Sequence, residues 1–224
     1  MESQKKVLTH FVTIKDLVRI INKNKFNCKN KFKILNSNFK MAQTPSNMLP
    51  LGTIAPDFNL KDTNATDFKT FADCKGEKGT VVIFICNHCP FVHHVMDEVI
   101  RVVNDYRVQG IGFVAISSND VVKYPQDAPE LMTEFAFENG FEFPYLYDET
   151  QEVARAYDAA CTRDFYLFDN QNKLVYRGQL DDSRPANGIP LSGSDLRSAI
   201  DGVVMNRLIN PEQKPSIGCN IKWK

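Results

Sequence analysis

The chain has 224 residues, of which 43% are hydrophobic and 11% aromatic, and its formal net charge at pH 7 is zero. This length suits one large domain or a domain with an extension, and the composition is typical of a globular protein with an apolar core. The zero net charge gives no indication of nucleic-acid binding, and no stretch is long and apolar enough to span a membrane. We therefore expect neither nucleic acid nor membrane among its partners.

The charge is uneven along the chain, because residues 1–40 carry ten Lys and Arg against two acidic residues. Apolar residues recur there at helical spacing, so two interpretations stay open: an organelle-targeting segment or a disordered tail. The composition favours the tail, since targeting segments are rich in Arg and this stretch has one. We predict a basic, Lys- and Asn-rich extension over residues 1–45 and a folded domain over residues 49–224.

Early strand and turn signals precede a regular alternation of strands and helices. Residues 51–60 are punctuated by Gly and Pro and indicate a first strand. Further strands are predicted over residues 80–85, 111–117 and 143–147, helices over 90–106, 125–139, 150–159 and 194–208, and a hairpin over 165–178. This order indicates an α/β fold with a central mixed sheet flanked by helices.

Six cysteines are spread along the chain, and Cys86 and Cys89 are the one closely spaced pair. Small secreted proteins usually carry dense disulfide frameworks, so this spacing favours a reducing compartment with one reactive pair. The first apolar segment is broken by charged residues and gives no convincing signal peptide. We expect a cytoplasmic or organellar protein that is not secreted.

The cysteine pair stands between a predicted strand and a predicted helix, in the sequence Cys86-Asn87-His88-Cys89. Two intervening residues let the sulfurs form a disulfide without backbone rearrangement. With Cys86 as the helix N-cap, the free N–H groups of the first turn would favour its thiolate. We therefore expect an exposed, low-pKa Cys86 that attacks, a deeper Cys89 that resolves, and a protonated His88 that stabilises the thiolate. Pro90 predicts a distorted helix start.

Cysteines at this spacing also occur as half of a zinc site. His93 and His94 follow in the next helical turn, so Cys86, Cys89 and either histidine form a candidate set of metal ligands. Structural zinc normally has four ligands, and the chain offers no second cysteine pair. Metal binding is therefore the weaker alternative, and we predict neither a metal nor another cofactor.

Three parts of the sequence resemble the peroxiredoxin-like branch of the thioredoxin-fold superfamily, of the alkyl hydroperoxide reductase/thiol-specific antioxidant type. They are Ile54–Leu60, Cys86–Val92 with the strand before it, and Gly218–Lys224. The resemblance covers residues 49–224. It implies a thioredoxin-like fold with an N-terminal β-hairpin, and oxidoreductase activity on a disulfide-containing protein or on a small peroxide or disulfide. A cellular thiol would be the reductant.

The sequence departs from both branches of that superfamily. Thioredoxins have a Trp before the first cysteine and a buried acid six residues before it, and this chain has Ile85 and Thr80 there. Peroxiredoxins have a Thr three residues before the peroxidatic cysteine, and this chain has Cys86; their opening proline falls at Val82. Because the peroxidatic pocket is not reproduced, we predict thiol–disulfide exchange through Cys86 and Cys89, with a thiol peroxidase as the alternative.

Arg163 stands where thioredoxin relatives have a proline facing the motif, and in the vicinity of the catalytic Arg of peroxiredoxins. Two interpretations stay open. Arg163 places a cation over the thiolate and lowers the thiol pKa, or it forms a surface ion pair with Asp164 or Asp148. The first would make it part of the catalytic site.

Two more cysteines are candidate resolving thiols. Cys161 lies two residues before Arg163, and the alternative is a buried, inert cysteine. Cys219 lies in the C-terminal segment and could resolve in a partner chain; the alternative is a structural tail anchored by Ile221 and Trp223.

Overall fold

The computed structural model describes residues 43–65 and 67–224. The predicted basic extension, including Cys28, lies outside the described residues up to residue 42. Its last residues form a short strand, β1 (Thr44–Pro45), so they belong to the folded part of the chain. Within the described ranges, no helix is both long and apolar enough to cross a membrane.

The described residues alternate strands with helices, as the sequence predicts. The remaining strands are β2 (Asn59–Asp62), β3 (Phe68–Thr70), β4 (Gly79–Phe84), β5 (Ile111–Ser117), β6 (Tyr145–Tyr147), β7 (Asp164–Asp169), β8 (Leu174–Gly178) and β9 (Ile217–Gly218). The helices are α1 (Phe71–Cys74), α2 (Pro90–Arg107), α3 (Pro129–Asn139), α4 (Glu152–Ala156) and α5 (Ser194–Val204), with a 3-10 turn at Pro125–Asp127.

One mixed sheet holds seven of these strands in the order β3-β2-β6-β5-β4-β7-β8. Strand β4 runs parallel to β5 and antiparallel to β7, and β5 runs parallel to β6. At one edge, β2 and β3 form an antiparallel hairpin. The predicted fold class is therefore confirmed: a thioredoxin-like α/β fold, with a central mixed sheet flanked by helices and an N-terminal β-hairpin.

Strand β4 lies in the middle of the sheet, and each of its six residues is buried. Val81 and Ile83 join the apolar cluster that contains α2, α3 and α5 side chains. Val82 and Phe84 join the cluster on the opposite face, with α1 and α4 side chains. An unbroken β-branched run is what a strand covered on both faces requires, and each such side chain contributes about 1.5–3 kcal/mol when buried.

Several predicted elements are shorter than expected, and two of them form over no more than half of their predicted length. The early strand predicted over residues 51–60 forms only from Asn59, and Ile54 makes an isolated bridge instead. Helix α4 is confined to Glu152–Ala156 because left-handed residues flank it: Gln151 has φ 65° before it and Asp158 has φ 49° after it. Non-glycine residues rarely adopt this conformation, and it interrupts a helix.

The C-terminal segment, residues 217–224, is fixed to the domain mainly through its backbone. Strand β9 pairs with β1. The Thr162 N–H donates to the Cys219 carbonyl at 2.8 Å, and the Lys222 N–H donates to Oδ1 of Asn119 at 2.8 Å. Ile221 is buried in the core, as expected of an anchor. These contacts hold Cys219 beside the segment that leads into β7.

Candidate active site

Three chain segments meet at the carboxyl end of β4. They are the turn that carries Cys86 and Cys89, the Thr162–Arg163 segment before β7, and the C-terminal segment with Cys219. The Arg163 N–H donates to the carbonyl of Phe84, the last residue of β4, at 2.6 Å. Because β4 and β7 are antiparallel, the start of β7 necessarily lies beside the end of β4.

Helix α2 begins at Pro90, and its N-cap is Cys89. The prediction that Cys86 is the N-cap is therefore wrong. Proline has no N–H and disfavours the helical conformation of the preceding residue, so it is well suited to the first position of a helix and not to its interior. A helix that begins at Pro90, after the cysteine turn, takes the place of the distorted helix start that the sequence predicts.

Both cysteines of the turn are fully buried, with 0% of the side chain exposed for Cys86 and for Cys89. The prediction that Cys86 is the more exposed of the two is also wrong. Cys219 is partly exposed, which makes it the most accessible thiol of this cluster. All five described cysteines carry free thiols.

Asp127, in the 3-10 turn after β5, encloses the Cys86 end of the turn. Its Oδ1 accepts the backbone N–H of Asn87 at 2.9 Å and that of His88 at 3.2 Å. The amides expected to stabilise a Cys86 thiolate are thus occupied by a carboxylate. Burial raises the pKa of Cys86 well above its ordinary value, and the hydrogen bond to Cys89 and the charge of Asp127 raise it further.

His88 is oriented by Asp127 rather than by a thiolate. Its Nδ1 lies 2.6 Å from Oδ2 of Asp127 and 3.9 Å from Sγ of Cys86. The imidazole stacks on the Tyr124 ring, with centroids 5.7 Å apart. His88 therefore belongs to the site, but its strong contact is with the acid.

Cys89 has the opposite surroundings. Its Sγ lies 2.8 Å from Sγ of Cys219. Hydrogen bonds from the Cys219 thiol, the Cys86 thiol and the Thr162 hydroxyl, together with the Cys219 N–H, lower the pKa of Cys89 far below its ordinary value despite burial. The pKa of Cys219 is raised, chiefly because its thiol donates to Cys89. These shifts favour a thiolate on Cys89 over one on Cys86, and the order of attack stays a prediction.

Arg163 is fully buried beside this thiolate. Its side chain is 0% exposed, and its backbone has φ 60°. Nε donates to the Ile217 carbonyl at 3.0 Å and Nη1 to the Ser183 carbonyl at 3.3 Å, whereas Nη2 has no hydrogen-bond partner among the described residues. Burial lowers the pKa of Arg163 to about 10, and the charge of Cys89 is one of the influences that oppose this shift.

The alternative of a surface ion pair at Arg163 is therefore wrong. Asp164 follows it in the chain but points to the other face of the sheet, where it accepts hydrogen bonds from Ser46 and Tyr166. Asp148 accepts from the Ser118 hydroxyl at 2.8 Å. A buried guanidinium can still stabilise a nearby thiolate electrostatically.

The two candidate resolving cysteines occupy different environments. Cys161 is fully buried, and burial raises the pKa of its thiol, which fits the inert alternative. Cys219 lies in contact with Cys89 of its own chain. The C-terminal segment is structurally anchored, and a resolving role for Cys219 stays a prediction.

The predicted metal set is not brought together. Among the described residues, one group of candidate ligand atoms lies within 4.8 Å of one another, and it consists of Cys86, His88 and Asp127. The Nε2 atom of His94 instead contacts the Ser183 hydroxyl at 2.8 Å. His93 lies edge-on to the Phe135 ring, 5.5 Å between centroids.

Sequence reasoning missed Asp127 and Thr162. One signal for Asp127 was available, since β4 and β5 are parallel and the residues that follow two adjacent parallel strands meet at the same edge of the sheet. Thr162 gave no signal beyond its position next to Arg163.

Comparison with known proteins identifies the family of this chain. Residues 51–177, more than half of the chain, match the AhpC/TSA family. An uncharacterized conserved protein from Geobacillus kaustophilus is 56% identical over 83% of this chain and 98% of its own, with a TM-score of 0.81. A hypothetical protein from Sinorhizobium meliloti 1021 is 45% identical over 81% and 98%, with a TM-score of 0.78.

A more distant structure supports the fold alone. A mutant of peroxiredoxin 6 of Arenicola marina is 19% identical over 70% of this chain and 74% of its own, with a TM-score of 0.53. No curated protein matches this chain.

Proposed function

This chain belongs to the AhpC/TSA family and is a thiol-based oxidoreductase, and we propose that it reduces small hydroperoxides with Cys89 as nucleophile and Cys219 of the same chain as resolving thiol. The observation that carries the proposal is the 2.8 Å contact between the two sulfurs, in surroundings that favour a thiolate on Cys89. A cellular thiol then returns the pair to the reduced state.

The burial of Cys89 restricts which substrates can reach its sulfur. Cys89 is 0% exposed, so the disulfide of a folded protein cannot approach its sulfur without displacing the C-terminal segment. A hydroperoxide of a few atoms needs a much smaller opening. This difference favours the peroxidase over direct attack on protein disulfides.

The first step oxidises Cys89. Its thiolate attacks the terminal oxygen of the hydroperoxide, the S–O bond forms as the O–O bond breaks, and the alkoxide leaves and takes a proton from solvent. Cys89 becomes a sulfenic acid. Before the attack, the neighbouring Cys219 thiol and the Arg163 cation stabilise the negative charge on the Cys89 sulfur.

The second step forms the disulfide. The Cys219 sulfur attacks the sulfenic sulfur of Cys89, and the hydroxyl leaves as water with the Cys219 proton. An incoming thiol then attacks the disulfide at Cys219, the partly exposed residue of the pair. Cys89 is the leaving group of that exchange, and a thiol of low pKa leaves readily. A second thiol attacks the mixed disulfide and releases Cys219, so that the two reductant thiols leave as a disulfide.

The same disulfide supports a second candidate function, which is thiol–disulfide exchange. The specific observation is the partial exposure of Cys219, because a Cys89–Cys219 disulfide offers that sulfur to a substrate thiol. Exchange by this route uses Cys219 and Cys89, whereas the sequence predicts exchange through Cys86 and Cys89.

Stopped-flow measurement of hydrogen peroxide consumption tests the proposal. We expect the wild-type chain to react at least about 100-fold faster than a free thiol at pH 7, and Cys89→Ser to abolish the fast phase. Cys74→Ser is the matched control, because Cys74 is a buried thiol in α1, and it should retain the fast phase. A wild-type rate equal to that of a free thiol, or a fast phase that survives in Cys89→Ser, contradicts the proposal.

A further inference from the structure

Asp127 is fully buried, and the steps described above make no use of it. Resting on the proposed function, we propose that Asp127 is a positioning residue that reserves the thiolate for Cys89. Its carboxylate occupies the backbone amides next to Cys86, and Cys86 consequently remains a thiol that donates its proton to Cys89. The turn thus contains one nucleophile and one hydrogen-bond donor, although both residues are cysteines.

The hydrogen bonds onto Asp127 indicate a carboxylate. Oδ1 accepts the backbone N–H groups of Asn87 and His88, as described above. Oδ2 accepts Nδ2 of Asn119 at 2.8 Å and lies 2.6 Å from Nδ1 of His88. Three of these contacts are accepted hydrogen bonds, and a carboxylate accepts the fourth as well when His88 carries its proton on Nδ1. A buried charge is tolerated when it is hydrogen-bonded in this way.

This carboxylate acts on Cys86 in two ways. It removes from Cys86 the backbone N–H groups that stabilise thiolates in comparable turns. It also places a negative charge within 4.8 Å of the Cys86 sulfur. The other titratable groups beside Cys86 are Cys89, Cys219, Tyr145 and His88. The two thiols and the phenol carry negative charge when ionised, so together with Asp127 they favour the neutral thiol of Cys86. His88 is the one neighbour that would be a cation, and its Nδ1 lies closer to Asp127, at 2.6 Å, than to the Cys86 sulfur, at 3.9 Å.

The effect on Cys89 follows through Cys86. A protonated Cys86 is among the donors that lower the pKa of Cys89, second only to the Cys219 thiol. The proton that Asp127 keeps on Cys86 therefore supports the thiolate three residues further on. Asp127 touches neither the reacting sulfur nor, in the steps proposed, the peroxide.

The first test is a pH titration of thiolate absorbance near 240 nm in a Cys89→Ser background, taken as the difference between proteins with and without Cys86. With Asp127 present, the midpoint for Cys86 should lie above the ordinary thiol value of about 8.5. Asp127→Asn keeps an oxygen for the amides and removes the charge, so the midpoint should fall by at least about one pH unit. An unchanged midpoint in a folded variant overturns the proposal.

Asp164→Asn is the matched control, because Asp164 is an equally buried acid on the opposite face of the sheet. It should leave the Cys86 midpoint unchanged. If Asp127→Asn does not fold, the Cys89→Ser protein alone still decides: a Cys86 midpoint at or below about 8.5 contradicts a role for Asp127 in keeping the thiol protonated.

The second test separates donor from nucleophile at Cys86. Cys86→Ser retains a donor and should keep the pH midpoint of Cys89 within about half a unit, whereas Cys86→Ala should raise it by about one unit or more. Equal midpoints in the two variants overturn the donor role. These titrations need no peroxide, so a failure to form the Cys89–Cys219 disulfide would refute the proposed function and leave this result to be judged separately.

Discussion

The two ends of the cysteine turn are equally buried and electrostatically opposite. At one end, Cys86 lies against the carboxylate of Asp127, which occupies the neighbouring amides. At the other end, Cys89 is surrounded by donors from Thr162 and Cys219, with the Arg163 cation nearby. Burial alone would raise the pKa of both thiols. The difference between them is set by what hydrogen-bonds to each sulfur.

This comparison shows that two cysteines close together in sequence need not form the redox-active disulfide. Two residues separate Cys86 from Cys89 in sequence, yet the sulfur 2.8 Å from Cys89 belongs to Cys219, 130 residues away. The proposed redox pair, Cys89 and Cys219, is therefore brought together by the fold. The cysteine of the turn that has no role in the disulfide keeps a role as a donor.

The largest effect is expected when Cys219, the partner thiol of Cys89, is removed. In Cys219→Ser the thiolate of Cys89 remains, so its first reaction with hydrogen peroxide should stay fast. Turnover with dithiothreitol should fall by about 100-fold, because the sulfenic acid is no longer resolved and proceeds to sulfinic acid. Mass spectrometry checks this as a gain of two oxygens on Cys89. Turnover equal to wild type would show that another thiol resolves.

The next largest effect should come from Arg163. Arg163→Met fills a similar volume without the charge, and we expect the pKa of Cys89 to rise, so that the pH below which the peroxide rate falls moves upward by about one unit. Arg163→Lys should move that pH less because it retains a cation. The measurement is the peroxide rate from pH 8 down to pH 4, and an equal loss of rate at every pH would indicate a structural effect instead.

The position of Cys219 offers a finer test. The backbone of Gly218 lies against the Thr162 carbonyl, and a Cβ on Gly218 would overlap that oxygen. Gly218→Ala should therefore move the C-terminal segment outward and slow disulfide formation by about tenfold, with the first oxidation of Cys89 little changed. Rapid-quench alkylation followed by peptide mapping measures the two steps separately. Unchanged disulfide formation would mean that the segment adjusts without moving Cys219.

The pH profile separates the two cysteines directly. The pKa of Cys89 is lowered, so its thiolate stays fully formed as pH falls from 8 to about 5 and is lost only below that range. The peroxide rate constant should therefore change by less than about twofold across this interval. A nucleophile with the raised pKa of Cys86 would lose about tenfold per pH unit instead.

The smallest effect on the cysteines is expected from Asp164. Burial raises its pKa to about 7, against hydrogen bonds from Ser46 and Tyr166 that lower it. A carboxyl group whose pKa rises on folding binds more protons in the folded state, so its contribution to stability declines between about pH 4 and pH 7. Asp164→Asn should remove that decline, worth about 3 kcal/mol, as measured by urea unfolding at pH 5 and 8. An undiminished decline would contradict the assignment.

The sequence predicts the secondary structure around the site better than it predicts which cysteine is the nucleophile. The apolar run of β4, the helix from Pro90 and the turn between them are local patterns, and each is present as expected. The identity of the nucleophile depends on contacts that cross long stretches of chain. Asp127 is 39 residues from His88, and its preference for the turn amides cannot be deduced from spacing.

Arg163 illustrates the same limit. Its position before β7 identified it as a candidate, but the sequence left a buried cation and a surface ion pair open. The alternation of side chains along β7 decides between them, because it sends Asp164 to the opposite face. That alternation follows from the register of β7 against β4, which only the assembled sheet defines.

Disulfide mapping tests the central claim most directly. Reduced protein is treated with one equivalent of hydrogen peroxide, free thiols are alkylated, and peptides are identified by mass spectrometry without reduction. We predict a disulfide between Cys89 and Cys219, with Cys86 recovered in alkylated form. A disulfide between Cys86 and Cys89, with Cys219 alkylated, would contradict the assignment of Cys219 as the resolving thiol.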